Sequence, residues 1–260
     1  MRTLKLIVAY DGTNYAGWQV QENGPTVQAA IEAAIAKITG EKVRILASGR
    51  TDAGVHALGQ VVGFQTGSLL PAEVFRRALN AELPHDIAVL ESADVHEGFH
   101  PTLDAVRKRY RYVIHDGPVR DVIRRRYCWQ FTLGRLDVEA MRCAAAALVG
   151  THDFSSFQTR GAPRLTSVRT VYEVGVARGR GEEQDLVSVE VEANGFLYNM
   201  VRAIVGTLVE VGRGARPESW PGEVLRATDR RLAGRTAPPQ GLFLVRVEYP
   251  TEEEGSPVMD

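Results

Sequence analysis

One aspartate between two glycines is the residue of this chain best suited to chemistry. Asp52 lies in the stretch Ser48-Gly49-Arg50-Thr51-Asp52-Ala53-Gly54-Val55-His56-Ala57. An ionised carboxylate acts as a nucleophile or general base, and a nearby arginine such as Arg50 favours the ionised form. The flanking glycines allow another molecule to approach closely. These residues fit a turn aspartate bonded to its own backbone equally well.

The elements around Asp52 place it on a connection between strands. Val43, Ile45 and Ala47 alternate as in a half-buried strand, and a second strand is predicted from Gln60 to Phe64. Upstream there is a strand at Leu4 to Val8 and a helix. A helix from Pro71 to Ala81 and a strand from Ile87 to Leu90 follow, so the predicted order is β-α-β-β-α-β.

The second half repeats this order less clearly. Its strand runs from Arg107 to Ile114, a helix lies near Leu136 to Leu148, and a hairpin pairs Val168 to Val176 with Val187 to Val191. A helix and a strand from Leu242 to Tyr249 close it. The predicted fold class is α+β, with two ferredoxin-like halves whose mainly antiparallel sheets join side by side and leave an active-site cleft between them. The halves are predicted as 1–104 and 105–250, with a mobile loop at 160–167 and a disordered tail at 251–260.

Two predicted helices have recognisable ends. Thr26 is a candidate N-cap for a helix that runs to Gly40. Asn194 is a candidate cap for the helix of the second half, in which Leu197, Ile204 and Leu208 lie on one apolar stripe. Arg202 is about 130° from that stripe and can reach sideways.

Composition excludes several classes of protein. The chain has 260 residues, 44% of them hydrophobic, which is enough for a sizeable core. No apolar run approaches the roughly 20 residues of a membrane span, and Met1 to Lys5 leads directly into a strand, so we expect a cytoplasmic protein without a membrane partner. Cys128 and Cys143 are expected to be reduced thiols.

The distribution of charge favours an anionic partner although the net charge is −1. Basic residues crowd the segment from Arg107 to Arg126, as expected for a surface that binds phosphates. Solvated surface arginines are the alternative. The candidates for RNA phosphate contacts are Arg107, Arg109, Arg111, Arg124, Arg125 and Arg126.

In the first strand of the second half, period two places Tyr110 and Tyr112 on one face and Arg109 and Arg111 on the other. Interleaved aromatic and basic side chains suit RNA, because a ring can stack on a base while arginine neutralises phosphate. Aromatic residues also favour strands for packing alone.

Two other motifs are weaker. Ser48 and His56 suggest a triad, but no third member is evident, and His56 is interpreted as a structural residue of the loop. His96-Glu97-Gly98-Phe99-His100 spells a zinc motif that requires a helix, and Gly98 with Pro101 disfavours a helix. We therefore expect no metal.

Five blocks together resemble one family. The stretch around Asp52 matches the catalytic loop of the A-type tRNA pseudouridine synthases. The resemblance continues at Tyr10 to Gln19, Lys108 to Tyr112, Gly195 to Arg202 and Thr236 to Leu242, in the family's order and over nearly the whole chain. A non-catalytic RNA-binding module, which would not need Asp52, is the rival interpretation from another class.

The resemblance implies specific roles. Asp52 is the catalytic residue, Tyr110 stacks on the target base, Arg50 takes part in flipping that base, and Arg202 is the basic partner of the aspartate. It further implies isomerisation of uridine to pseudouridine at positions 38, 39 and 40 of the tRNA anticodon stem-loop, by a homodimer. The reaction is redox-neutral, so no cofactor is expected. Whether Asp52 attacks C1′, attacks C6 or abstracts a sugar proton stays open.

Overall fold

A computed structural model describes residues 1–159 and 166–250. These residues form a mixed α+β fold in which nearly all strand pairs are antiparallel. The strands are β1 (Arg2–Tyr10), β2 (Leu46–Ala47), β3 (His56–Thr66), β4 (Ile87–Val95), β5 (Arg107–His115), β6 (Trp129–Gln130), β7 (Gly150–Asp153), β8 (Val168–Arg178), β9 (Leu186–Ala193) and β10 (Leu242–Glu248). The helices are α1 (Val27–Thr39), α2 (Ala72–Glu82), α3 (Val138–Ala145), α4 (Met200–Gly212) and α5 (Trp220–Ala227).

The chain divides into two units. The first contains residues 1–107 and the described residues from Leu244 onward, and the second contains residues 108–243. The last strand is predicted to belong to the second half, whereas most of β10 clusters with the first unit.

The first unit has the predicted order of elements. Its strands lie in the order β4-β1-β3, and β2 pairs with β3 at Leu46 and Ala47. β1 is antiparallel to both of its neighbours. Leu4, Leu6 and Val8 alternate inward and are completely buried, as period two requires of a strand with one face on the core.

The second unit has strands in the order β5-β9-β8-β7, with β6 parallel to β5. The predicted hairpin is present, and Val176 lies opposite Val189. A register shift between Val171 and Glu173 reverses the alternation, so that Val171 is buried while Val168 and Tyr172 are exposed. A β-bulge has this effect, because it inserts one extra residue into one strand of the pair.

The ends of two helices test the cap predictions. The Thr26 hydroxyl accepts a hydrogen bond from the Ala29 amide at 3.3 Å, and Gly40 ends α1 in the left-handed conformation, as predicted. Asn194 does not cap α4, because its side-chain oxygen accepts a hydrogen bond from the Thr170 amide. The residue before α4 is Asn199.

α4 is more deeply buried than an amphipathic helix. In this helix only Arg202 and Glu210 are not buried. A helix that is apolar on all sides belongs in a core, so the predicted single stripe understates its packing. Arg202 is therefore one of the few side chains of α4 with access to solvent.

The segments predicted to be a mobile loop and a disordered tail, 160–167 and 251–260, lie largely or wholly outside the described residues. Among the helices that the structure does describe, none combines the length and apolar character that a membrane crossing demands.

Candidate active site

Asp52 lies where the sequence placed it, on the connection between β2 and β3. We call residues 48–55 the aspartate loop. Its backbone turns at Asp52, whose carbonyl accepts a hydrogen bond from the Val55 amide at 3.1 Å. The Asp52 side chain is only partly exposed, whereas Ser48 and Thr51 are buried. The loop thus presents the Asp52 carboxylate, while the hydroxyl groups of Ser48 and Thr51 are held inside the first unit.

Tyr10 holds the loop from β1. Its hydroxyl lies 2.8 Å from the hydroxyl of Thr51, the residue before Asp52, and both side chains are buried. Burial raises the pKa of Tyr10 to about 12, although hydrogen bonds with Thr51 and Gln60 oppose the shift. Tyr10 therefore stays neutral at physiological pH and keeps a proton for this hydrogen bond.

Gln60 holds the start of the loop from β3. Its side-chain amide donates to the Gly49 carbonyl at 2.8 Å, and its oxygen accepts from the Ser48 hydroxyl at 2.6 Å. Gln60 and Ser48 are completely buried. A satisfied buried polar network stabilises one conformation, so these contacts fix the backbone that leads to Asp52.

Two glycines allow a neighbouring segment to pack on the loop. A Cβ atom on Gly12 would lie 2.0 Å from the Val55 carbonyl oxygen, and one on Gly17 would lie 2.8 Å from that of Thr51. The Trp18 amide donates to the same Thr51 carbonyl at 3.0 Å. Residues 12–18 therefore form a second layer under the aspartate loop that a larger residue at either glycine would displace.

His56 anchors the end of the loop. It is 1% exposed, and its Nδ1 lies 3.1 Å from both the Gly12 amide nitrogen and Asp11 Oδ1. The Ser48 hydroxyl donates a hydrogen bond to the Gln60 side-chain oxygen. This geometry supports the interpretation of His56 as a structural residue and gives no support to a triad with Ser48.

Arg50 has a different environment from the expected one. Its side chain is exposed, and it makes no ion pair with Asp52 or with any other described residue. No direct contact therefore supports the expected effect of Arg50 on the ionisation of Asp52. The guanidinium is available to an anionic ligand.

Tyr110 and Arg202 belong to the second unit. The ring of Tyr110 is 8% exposed and packs edge-on against Phe196, with 4.9 Å between ring centroids. Arg202 Nε donates to the Ala237 carbonyl at 2.7 Å, and Nη1 donates to Asn199 Oδ1 at 2.8 Å. These contacts define the direction in which the guanidinium points.

Tyr112 supports the same region. Its hydroxyl donates to the Pro238 carbonyl at 2.7 Å. Burial raises the pKa of Tyr112 well above its usual range, although the positive charge of Arg202 opposes the shift. Tyr112 is thus a packing residue that holds the segment to which Arg202 is bonded.

The family model and the curated relatives agree on the family. A family model described as tRNA pseudouridine synthase matches residues 6–102 and 144–250. The tRNA pseudouridine synthase A of Thermoanaerobacter sp. (strain X514) is 47% identical over 249 residues, which cover 96% of this chain and 100% of the relative. That of Exiguobacterium sp. (strain ATCC BAA-1283 / AT1b) is 50% identical over 249 residues, 96% of this chain and 98% of the relative. The archaeal box H/ACA sRNP Nop10-Cbf5 complex aligns with 13% identity over 79% of this chain and 43% of that chain, at a TM-score of 0.37.

The chain belongs to the tRNA pseudouridine synthase A family. It is accordingly an enzyme, an isomerase that converts uridine to pseudouridine in tRNA. The family blocks coincide with the parts of the structure described above, namely the aspartate loop, the segment beneath it and the contacts of Arg202.

For a member of this family the arginines of β5 have an unexpected environment. Arg109 donates to three carboxylates, those of Glu173, Glu190 and Glu192, at 2.6, 3.0 and 2.8 Å. Arg111 pairs with Glu190 at 2.7 Å. Arg109 thus has a structural role that the sequence hypothesis did not foresee, and these ion pairs compete with the phosphate contacts predicted for both residues.

The other basic residues are more accessible. Arg107, Arg125 and Arg126 are exposed, and Arg124 is partly exposed with Asp121 3.4 Å away. The Arg125 guanidinium donates to the Val122 carbonyl at 2.6 Å. These four residues remain the better candidates for phosphate contacts.

The zinc-like motif does not form a helix. Residues 96–100 are not helical, as predicted from Gly98 and Pro101, and Glu97 and Gly98 form a turn. His100 Nδ1 accepts hydrogen bonds from the amides of Thr102 and Leu103, and the His96 ring packs edge-on against Phe99. The two histidines therefore serve local packing.

Several residues of the site were missed from the sequence. Tyr10, Gln60, Phe196 and Asn199 contact the predicted residues or their loops. Tyr10, Phe196 and Asn199 lie within the family blocks, which was a usable signal. Gln60 lies outside them, and a glutamine in an otherwise apolar strand was the only hint.

Proposed function

We propose that the enzyme isomerises uridines 38, 39 and 40 of the tRNA anticodon stem-loop and that Asp52 initiates the reaction. The observation that carries this proposal is the aspartate loop. Buried hydrogen bonds from Tyr10 and Gln60 fix the backbone on one side of Asp52, while the carboxylate itself stays partly exposed. Preorganisation of this kind is typical of catalytic groups.

The reaction sets the demands on the site. The N1–C1′ bond of uridine breaks, the base turns, and a C5–C1′ bond forms. The hydrogen at C5 leaves as a proton and N1 gains one, so the conversion is redox-neutral. The base must leave its stack, which costs a few kcal/mol that protein contacts have to offset. Asp52 starts this sequence by attack at C1′, by attack at C6 or by removal of a sugar proton.

The remaining roles follow from the family resemblance and the local geometry. Arg50 is exposed and without an ion pair among the described residues, which suits contact with RNA during base flipping. Tyr110 is proposed to contact the uracil, through the small part of its ring that is exposed. Arg202 is proposed as the basic partner of the catalytic aspartate.

The decisive experiment measures tritium release from tRNA that carries C5-labelled uridine. Asp52→Asn should abolish release while folding and tRNA affinity survive, because it removes the charge and keeps the shape. Asp94→Asn, which alters an exposed carboxylate of the same unit, is the matched control and should keep full activity. Release by the Asp52 variant, with deamidation excluded by mass spectrometry, would refute the assignment.

Substrate position has its own test. Transcripts in which uridine is present only at 38, 39 or 40 should each release tritium. Transcripts with uridine only in the other arms should not, and equal release from those would overturn the proposed specificity.

We also propose that the enzyme is a homodimer. Exposed apolar side chains concentrate between β5 and α3, in a set that we call the apolar patch: Val119, Val122, Ile123, Tyr127 and Leu133. Apolar side chains left exposed in one segment are candidates for an interaction site. Light scattering should report a dimer, and Val122→Asp with Ile123→Asp should give a folded monomer. A wild-type monomer in the presence of tRNA would contradict the proposal.

Two further expectations belong to this proposal. Each unit is proposed to be a ferredoxin-like β-α-β-β-α-β domain, supported by the β4-β1-β3 order in the first unit. A cytoplasmic location is proposed because the substrate is tRNA.

A further inference from the structure

Asn199 has an unusual backbone conformation beside Arg202. Its φ of 62° lies in the left-handed region, and Thr228 is the other non-glycine residue in the described part of the chain with a positive φ. Such a conformation is unfavourable for a residue with a Cβ atom, although asparagine tolerates it better than most. Strained residues of this kind persist where the surrounding structure holds them, often at functional sites.

The side chain of Asn199 does not serve the helix that it precedes. An asparagine before a helix normally caps it by accepting a backbone hydrogen bond, but Asn199 makes no such bond. Its oxygen accepts from Arg202 Nη1 at 2.8 Å, and its nitrogen donates to the Thr159 hydroxyl at 3.1 Å. The amide thus bridges two residues and is oriented from both ends.

The Arg202 guanidinium is consequently bound at two of its nitrogens. Nη1 is bound to Asn199, while Nε is bound to the Ala237 carbonyl at 2.7 Å. The Ala237 amide donates back to the Arg202 carbonyl at 3.1 Å. A planar guanidinium fixed at two of its nitrogens has a defined plane and direction.

We propose that Asn199 is a positioning residue for the isomerisation, and that its left-handed backbone exists to set the orientation of the Arg202 guanidinium. Glycine would adopt the same backbone without strain but would offer no amide. The inference rests on the proposed role of Arg202 in the reaction.

The variant Asn199→Gly tests the proposal, because it relieves the backbone and removes only the amide. The turnover rate kcat for tritium release should fall, by up to about a hundredfold if the guanidinium moves by about 1 Å, while tRNA affinity and thermal stability are retained. Thr228→Gly is the matched control. It relieves a left-handed residue at the end of α5, with φ of 48°, and should leave kcat unchanged.

Arg202→Ala and the double variant Asn199→Gly/Arg202→Ala complete the experiment. If Asn199 acts through Arg202, the double variant should be no slower than Arg202→Ala alone, because effects of coupled residues are not additive. Wild-type kcat in Asn199→Gly, or a full additive loss in the double variant, would overturn the inference while the role of Arg202 stands. Wild-type kcat in Arg202→Ala would instead refute the proposed role of Arg202, and this inference with it.

If Asn199→Gly does not fold, the variant Thr159→Val tests the proposal instead. It frees the other end of the Asn199 amide by removing a hydroxyl. A lower kcat at unchanged tRNA affinity supports the proposal, and an unchanged kcat contradicts it.

Discussion

The hydroxyl groups of Tyr10 and Thr51 lie 2.8 Å apart in the interior of the first unit, and Thr51 immediately precedes the proposed catalytic aspartate. Tyr10 ends β1, the central strand of the β4-β1-β3 sheet. The central strand of this sheet is therefore bonded directly to the loop that presents Asp52. A site held by a strand is more precisely placed than one held by a loop alone.

The variant Tyr10→Phe removes this hydrogen bond and keeps the ring. Unfolding free energy should fall by about 0.5 to 1.5 kcal/mol, and kcat for tritium release should fall while tRNA affinity is retained. Urea unfolding and single-turnover kinetics measure the two effects. Unchanged kcat would show that the bond serves stability only.

Tyr10 also predicts a response to alkaline pH. Its pKa is raised from 10.0 to about 12 in the folded protein, chiefly by burial. The folded state therefore holds the proton more tightly than the unfolded state, so this stabilisation is complete below pH 10 and is lost as pH rises towards 12. The loss of stability in that window should be smaller in Tyr10→Phe than in the wild type, and equal slopes would contradict the assignment.

The two glycines beneath the aspartate loop predict a contrast between variants. Gly17→Ala should strain a backbone with φ of 107° and also bring its Cβ atom to 2.8 Å from the Thr51 carbonyl oxygen. Gly40→Ala strains a left-handed backbone, with φ of 75°, in open space and should cost about 1 to 2 kcal/mol. Gly17→Ala should cost more and also lower kcat, because the loop must move. Similar stability and kcat in the two variants would show that close packing of Gly17 on the Thr51 carbonyl does not position the loop.

Local patterns predicted much of this structure. Thr26 and Gly40 marked the ends of α1, and the period of β5 placed Tyr110 and Tyr112 on the buried face opposite Arg109 and Arg111. These features depend on neighbours in the chain, which is what a sequence displays directly. The position of Asp52 between two strands followed from the same kind of pattern.

Long-range contacts were not predictable in this way. Asn194 was expected to cap a helix but bonds to Thr170 across 24 positions of sequence. Arg109 was interpreted as a phosphate ligand because the glutamates that bind it are 64 to 83 residues away. The sequence around Asp52 does not indicate the hydrogen bond with Tyr10, because Tyr10 comes 41 positions before Thr51.

Asp116 predicts sensitivity to acid. Both of its carboxylate oxygens accept hydrogen bonds from Arg178, at 2.8 and 2.7 Å, and the Leu136 amide donates to one of them at 2.8 Å. Burial alone would raise the pKa of Asp116, but these bonds hold it below its usual value of 3.8. The stabilisation is therefore complete above pH 3.8 and is lost as pH falls below it.

The variant Asp116→Asn should lose about 3 kcal/mol of unfolding free energy near neutral pH, since it leaves Arg178 without its charge partner. Its stability should also change less than that of the wild type below pH 3.8. Urea titrations at neutral and acid pH measure both effects. Parallel acid profiles would show that another carboxylate controls the transition.

The salt dependence of tRNA binding separates the two groups of arginines. If Arg124, Arg125 and Arg126 each neutralise one phosphate, replacing all three with glutamine should reduce the slope of log K against log salt by about 2 to 3, since each contact contributes roughly 0.7 to 0.9. Arg109→Gln should leave that slope unchanged and instead lower stability, because Glu173, Glu190 and Glu192 would face one another without the guanidinium that binds them. Filter binding at several salt concentrations, combined with thermal unfolding, measures both. A flattened slope in Arg109→Gln would restore Arg109 as a phosphate ligand, and an unaltered slope in the triple variant would move the tRNA surface elsewhere.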